Sequence, residues 1–337
     1  MGDGRARGTG RGFVTAEDVA RRAGVSRSAV SRTFTEGASV SEATRLRVLK
    51  AASALGYRVN RLAQRLGRER SSLVGVLASN LSTPYMATHL DALSQALLQQ
   101  NLQCLLINAV DGDSNVSRLI DLILEFRVRA IVVISVTPPS AIIRECVANG
   151  VPIVLVNRLT ENAHADTIVT DDAGGARLAA ERLIKAGCRR PVIVSSATAS
   201  QMRRVEAATA AFSKAGVDPI LWSRGPSRYE TGSQAARELL AAHDVDGAFC
   251  VTDLLALGFI DTARVAGRRV PEDISVVGFH DTPQASWLSY RLTTIRQPVD
   301  DLIGAIMRAL QRKPGPRKPL KTVLPLELVE RETVRKR

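Results

Sequence analysis

Apolar residues between positions 14 and 58 recur at helical spacing in three short stretches separated by turn residues, which predicts three helices sharing one small core. Thr15 can cap the first, with Asp18 three positions on completing a capping box, and Gly24 closes it. Ser26 can cap a second helix running to about Phe34, in which Val30 and Phe34 stack at i,i+4. Ser41 can cap a third that stops at Gly56, with Leu46, Leu49 and Leu55 at helical spacing. Val19, Ala20, Ala23, Val25, Val30, Leu46 and Leu49 are the expected shared core.

From Leu73 onward short β-branched runs alternate with longer amphipathic stretches, the pattern of βαβ units on parallel sheets. The runs are 73–78, 102–108, 130–135, 151–156, 191–196, 246–251 and 274–278, with helices expected near 86–100, 115–126, 139–149, 173–187, 202–215, 230–242 and 253–266. So many strands predict two similar lobes rather than one sheet. A Pro- and Lys-rich stretch, Arg312 to Lys321, reads as an exposed loop before a final strand at Thr322 to Leu328. The expected fold is thus an all-α N-terminal domain followed by an α/β two-lobed domain with parallel sheets.

Charge changes the picture. The chain of 337 residues carries a net charge of +13, and residues 1–70 alone hold fifteen Lys or Arg against six Asp or Glu. A concentrated basic segment suits a polyanion, because each cation placed on a phosphate releases a condensed counterion. Cys104, Cys146, Cys188 and Cys250 are widely spaced, without C-x-x-C pairs or metal-ligand spacing, and read as buried thiols in a reducing compartment. Met1 to Gly12 lacks the apolar run of an export signal, and no segment reaches the length of a membrane span. Cytoplasmic residence is therefore expected, with no metal and no cofactor.

The segment "VTAEDVARRAGVSRSAVSRTF" has the outline of a helix-turn-helix: two short helices joined by a three-residue turn containing glycine. Its second helix would enter the major groove, with Ser26 leaving backbone N–H groups directed at a phosphate. Arg27, Ser28 and Arg32 project outward while Ala29 and Val30 face the core. The guanidinium fork matches guanine O6 and N7, so Arg27 and Arg32 lead as base readers. Ser31, Ser41 and Thr44 suit phosphate contacts that hold register, Thr15 and Ser26 complete the DNA-facing set, and each also fits a plain capping or solvent role.

These residues, with "VSEATRLRVLKAASALGY" and "NRLAQRL" following in order, resemble the lactose-repressor (LacI/GalR) family of bacterial transcription regulators, and the likeness extends over essentially the whole chain. The resemblance implies a basic arm at 1–12, a helix-turn-helix domain at 13–58, a hinge helix at 59–70 and an effector-binding and dimerisation domain at 71–337. Within the last, one lobe would take about 71–158 and 298–325, the other about 159–297 and 326–337. A hinge helix capped by Asn60 and stopped by Gly67 is too short to persist alone in water, so it should fold on DNA. There Leu66 matches the family position that wedges into the minor groove, beside Ala63, with Arg61 and Arg65 offsetting phosphate charge. Val59 departs from the proline found in many relatives. The resemblance also implies a homodimer, with a tetramer open, on a pseudo-palindromic double-stranded operator.

Residues 71–337 would hold a small effector, a sugar or sugar acid, where both sheets direct their carboxyl ends into one cleft. Tyr85 in "SNLSTPY", Asn157, Arg158 and Asp253 after "FCVT" follow strands, and the family pattern adds Gln297 in "LTTIRQP". Tyr85 equally fits a packing role and Asp253 a helix cap. Many relatives carry an arginine four residues before the aromatic matched by Phe212; here that position is Ala208, leaving Arg203 or Arg204 as substitutes suited to an anionic ligand. In "VVGFHDTP" His280 stands where relatives place an acid, so either His280 donates to an anionic group or Asp281 takes over. No P-loop, nucleophile elbow or H-E-x-x-H helix is present, and "DDAGGARLAAE" lacks the G-x-G turn of a nucleotide site, so no enzyme is expected. Repression is the expected output; the competing role is that of an importer's solute-binding protein.

Overall fold

The computed structural model describes residues 14–35, 37–57, 71–109, 115–158, 164–196, 201–312 and 318–336. The chain divides into two compact units, Met1–Ser71 and Ser72–Arg337.

In the first unit, α1 (Ala16–Ala23) starts where the Thr15 hydroxyl accepts from the Asp18 N–H while the Asp18 carboxylate accepts from the Thr15 N–H, and ends on left-handed Gly24. Helix α2 (Arg27–Thr33) is capped by Ser26 accepting from the Ala29 N–H. Helix α3 (Glu42–Leu55) is capped by Ser41 and closed by left-handed Gly56. Val19, Ala20, Ala23 and Val30 are buried as the spacing predicts. The third helix corrects the expected core: Leu46 is 62% exposed and Leu49 44%, while Val48, Ala51 and Ala52 are buried. Both sets keep helical spacing. The alanine face wins because small side chains let α3 lie close against α1, and Arg45 ties it to the Thr33 carbonyl at the end of α2.

The second unit holds two six-stranded sheets. One contains β1 (Leu73–Ala78), β2 (Gln103–Asn108), β3 (Ala130–Ile134), β4 (Ile153–Val156), β5 (Asp166–Thr170) and β11 (Lys321–Leu324), all parallel, in the order β11-β5-β4-β3-β1-β2. The other contains β6 (Pro191–Ser195), β7 (Ile220–Ser223), β8 (Gly247–Cys250), β9 (Ser275–His280), β10 (Thr293–Arg296) and β12 (Glu327–Val329), in the order β12-β10-β9-β8-β6-β7. Only β12 runs antiparallel to its neighbour. Each sheet thus repeats one doubly wound order, with a switch point between its first and third strands. Helices α4 (Pro84–Gln99), α5 (Val116–Glu125), α6 (Ser140–Ala148) and α11 (Val299–Gln311) pack on the first sheet; α7 (Asp172–Lys185), α8 (Met202–Lys214), α9 (Tyr229–Ala242) and α10 (Asp253–Val265) belong to the second.

Three expectations change. The first passage between lobes lies after Thr170, not at 158, because Asp166–Thr170 pairs with β4 and β11. The expected terminal strand at Thr322 to Leu328 is two strands in different sheets, divided at Pro325 and Leu326. Residues 299–311, given no element from the sequence, form α11. No helix among the described residues is long and apolar enough to cross a membrane.

Helices α9 and α10 meet at two glycines. A Cβ on Gly232 would lie 2.1 Å from the Leu255 carbonyl oxygen, and one on Gly258 2.0 Å from that of Tyr229. Gly258→Ala should therefore force the helices apart and cost about 1–3 kcal/mol in chemical denaturation. Gly304→Ala in α11, where a new Cβ meets only the flexible end of Arg308 at 3.3 Å, should be neutral or stabilising by up to about 1 kcal/mol.

Candidate nucleic-acid interface and ligand cleft

Short α2 turns Val30 inward, and so sets Arg27, Ser28, Ser31 and Arg32 outward along one exposed face. Ser26 and Ser28 share a hydroxyl hydrogen bond of 2.9 Å at its start. Arg27 and Arg32 enter no ion pair among the described residues, which leaves both guanidinium forks able to meet an acceptor-rich partner. Thr15 and Ser41 are exposed and occupied as caps, and Ser41 also donates to Thr44 at 2.9 Å. Asn60, Arg61, Ala63 and Leu66, with the rest of the expected hinge, lie outside the described residues.

In the second unit the carboxyl ends of the strands carry the unusual backbone. Asn80, Ser135 and Asn157 after β1, β3 and β4, and His280 and Asp281 at the end of β9, all have positive φ. Non-glycine residues adopt that conformation only where surrounding contacts hold them. Tyr85, in the first turn of α4, accepts a 2.6 Å hydrogen bond at its hydroxyl from the Asn157 amide. The Arg158 guanidinium donates to the Ser135 carbonyl. Thr170 donates to Asp172 at 2.8 Å.

Arg204 on α8 is buried and makes a 3.0 Å ion pair with Asp172. It also donates to the Val251 carbonyl at 2.9 Å and to His280 Nε2 at 2.9 Å, with its guanidinium 3.9 Å over the Phe279 ring. Because Arg204 is always a donor, His280 Nε2 must accept and its proton sits on Nδ1. Burial first, then the Arg204 charge, holds the His280 pKa well below the ordinary histidine value, so the ring is neutral. It stacks on Tyr85 with centroids 4.3 Å apart, and His89 closes on Tyr85 at 4.2 Å. His89 Nδ1 lies 2.7 Å from the Tyr85 carbonyl and therefore donates to it, leaving Nε2 as an acceptor.

A cavity of about 470 Å³ opens beside these rings. Of the residues nominated from sequence, Tyr85, His280, Asp281 and Gln297 line it, while Asn157 and Arg204 stand one hydrogen bond behind. Arg158, Arg203 and Asp253 do not line it. The position thought to lack an arginine is resolved by the helix: Ala208 is buried in the core, and Arg204, one turn earlier on the same face, reaches the cleft. It arrives already neutralised by Asp172, and Arg203 is exposed. Asp281 is held between Arg296 and Arg331, each at 2.7 Å. Sequence reasoning missed His89 and the acids Asp300 and Asp301, which also line the cavity. His89 was discoverable, one helical turn from Tyr85.

Asp253 is wholly buried, accepting from the Thr294 hydroxyl at 2.6 Å and the Thr282 N–H at 2.7 Å, while Thr252 caps α10. Its role is bracing β10 and the loop after β9. Burial, outweighing those hydrogen bonds, pushes its carboxyl from 3.8 up to about 7. The folded chain then keeps a proton that the unfolded chain has released, so this residue's contribution to stability falls as pH rises from about 4 to about 7 and levels above. Asp253→Asn should remove that slope from the melting temperature measured between pH 5 and pH 8; an unchanged slope would assign it to other groups.

Residues 15–60 match the family described as bacterial regulatory proteins, lacI family, and residues 180–334 match a periplasmic binding protein-like domain. The chain is 32% identical over 334 residues to the HTH-type transcriptional regulator CelR of Thermobifida fusca, covering 95% of this chain and 98% of CelR. It is 31% identical over 312 residues to the HTH-type transcriptional regulator reg1 of Streptomyces lividans, covering 88% and 89%. Among solved structures it is similar to the lac repressor dimer bound to operator and the anti-inducer ONPF, with a TM-score of 0.84 at 26% identity over 96% of this chain and 99% of that one.

Proposed function

Since this chain belongs to the lacI family of bacterial regulatory proteins, we propose that it works as a cytoplasmic, homodimeric repressor whose grip on a pseudo-palindromic operator is set by a small molecule in the cleft of its second unit. It is a sequence-specific DNA-binding transcription regulator and not an enzyme. The observation that carries the finer reading is the outward row Arg27, Ser28, Ser31 and Arg32 on a helix whose opposite side is locked into a core. In this reading Arg27 and Arg32 contact base edges, while Thr15, Ser26, Ser41 and Thr44 fix the phosphates. Residues 59–70, with Asn60, Arg61, Ala63 and Leu66, form the hinge that folds into the minor groove. Ligand in the cleft changes the angle between the two sheets, and that change alters how far apart two DNA-reading units stand. Cytoplasmic residence follows from the target, since bacterial DNA lies there.

Dimerisation is supported by apolar side chains left uncovered on the second unit: Leu98, Leu106, Leu122 and Phe126 on the first lobe, Val265, Trp287 and Leu288 on the second. Val265 and Leu288 are 90% and 87% exposed, apolar area whose burial against a second surface would be favourable. A second copy fits, and the solved relative described above is a dimer on its operator.

Two experiments test this reading. Arg27→Ala should relax base preference at one symmetric operator position in a binding-site selection, at a cost of about 1–3 kcal/mol per half-site; uniform weakening on every sequence would make it a phosphate contact instead. Leu288→Asp should shift the protein from dimer to monomer in sedimentation at micromolar concentration and lower operator affinity with it. A dimer undiminished by the charge would place the interface elsewhere.

A further inference from the structure

Three buried side-chain atoms in the cavity lining lack a partner among the described residues: Thr282 Oγ1, a hydroxyl that can donate or accept, and two others that can only accept. His89 and Gln297, 3% and 2% exposed, line the cavity, and His89 Nε2 and Gln297 Oε1 have no hydrogen-bond partner among the described residues. Both atoms are acceptors: His89 spends its proton on the Tyr85 carbonyl, and the Gln297 amide nitrogen is directed to the Thr170 hydroxyl at 3.5 Å. Buried acceptors without donors are costly, so whatever enters must bring N–H or O–H groups.

The charges of the described lining residues point the same way. Asp300 and Asp301, in the first turn of α11, line the cavity and enter no ion pair among the described residues. Among the described residues Arg296 is the one arginine or lysine in the lining, and it is taken up by Asp281 and Glu327. Arg204 behind the rings is matched by Asp172. The amino end of α11 contributes roughly half a positive charge, which two full carboxylates exceed severalfold. An incoming carboxylate or phosphate would meet acceptors and uncompensated acids. An ammonium group would satisfy both.

We propose that the effector of this regulator carries a protonated amine, set against Asp300, Asp301 and the acceptors of His89 and Gln297, and that anionic ligands are excluded. The inference rests on the cleft being the effector site, and it replaces the anionic ligand expected from Arg203 and Arg204. A cavity of about 470 Å³ has room for an amine-bearing ligand of monosaccharide size.

The test is calorimetric titration of the full chain at pH 6.5 and low salt with D-glucosamine, D-glucose and D-gluconate, three probes of similar size and different charge. Glucosamine should bind at least about tenfold more tightly than glucose, with gluconate weaker still. Asp300→Asn combined with Asp301→Asn, both exposed changes, should erase the advantage of glucosamine over glucose, and added salt should reduce it. Glucose or gluconate binding as tightly as glucosamine, or a preference that survives the double substitution, overturns the amine assignment. If that binding is lost in His280→Ala, the cleft reading stands without it. Binding of glucosamine that is unaffected by His280→Ala and by the double substitution overturns both, as does silence of all three probes.

Discussion

A buried guanidinium cannot be left unmatched, and the second unit is organised around the way Arg204 is matched. Asp172 supplies the countercharge from the first turn of α7, the Val251 carbonyl takes a further donor at the end of β8, and His280 accepts from the end of β9. Losing one partner of such a buried pair typically costs about 3–5 kcal/mol, because the other charge stays behind. The same contact fixes which nitrogen of His280 carries the proton, and it presents the ring flat to Tyr85 of the first lobe. One arginine thereby links the ends of two strands in one sheet to an aromatic platform on the other.

Much of this was legible in the residues because the signals were local. Thr15 with Asp18, Ser26, Ser41, Gly24 and Gly56 mark helix ends through bonds that span only a few positions, and the structure makes each of them. What escaped depended on distant partners. Asp166–Thr170 is too polar to look like a buried strand; its aspartate is tolerated inside because Arg312 and the Leu320 N–H, some 150 positions away, satisfy it. Leu46 and Leu49 outweighed Val48, Ala51 and Ala52 by size alone, although helix packing rewards close approach as well as bulk. Tyr85, His280, Asp281 and Gln297, nominated because strand ends and motifs mark them, line the cavity, whereas Asp300 and Asp301 begin a helix that the sequence had not disclosed.

The two sheets share a strand order, yet their inner ends differ in chemistry. The first contributes amide, hydroxyl and aromatic groups through Asn157, Thr170 and Tyr85. The second contributes charged groups whose partners are already built in, Arg204 with Asp172 and Asp281 with Arg296 and Arg331. The positive φ angles at Asn80, Ser135, Asn157, His280 and Asp281 aim those ends, and their strain is sustained only by the bonds around them.

The glycine contact between α9 and α10 bears on how motion would travel. With backbone resting on backbone at Gly232 and Gly258, no layer of side chains lies there to be squeezed or to change rotamer. Tyr229 donates to Asp261, one turn before Val265, and fastens the outer edge of the same pair, while Tyr290 from the loop before β10 donates to the same carboxylate. The two helices must then pivot as a single stiff plate, and a tilt of a few degrees at the cleft would reach Val265 and its neighbours at full amplitude instead of being absorbed on the way.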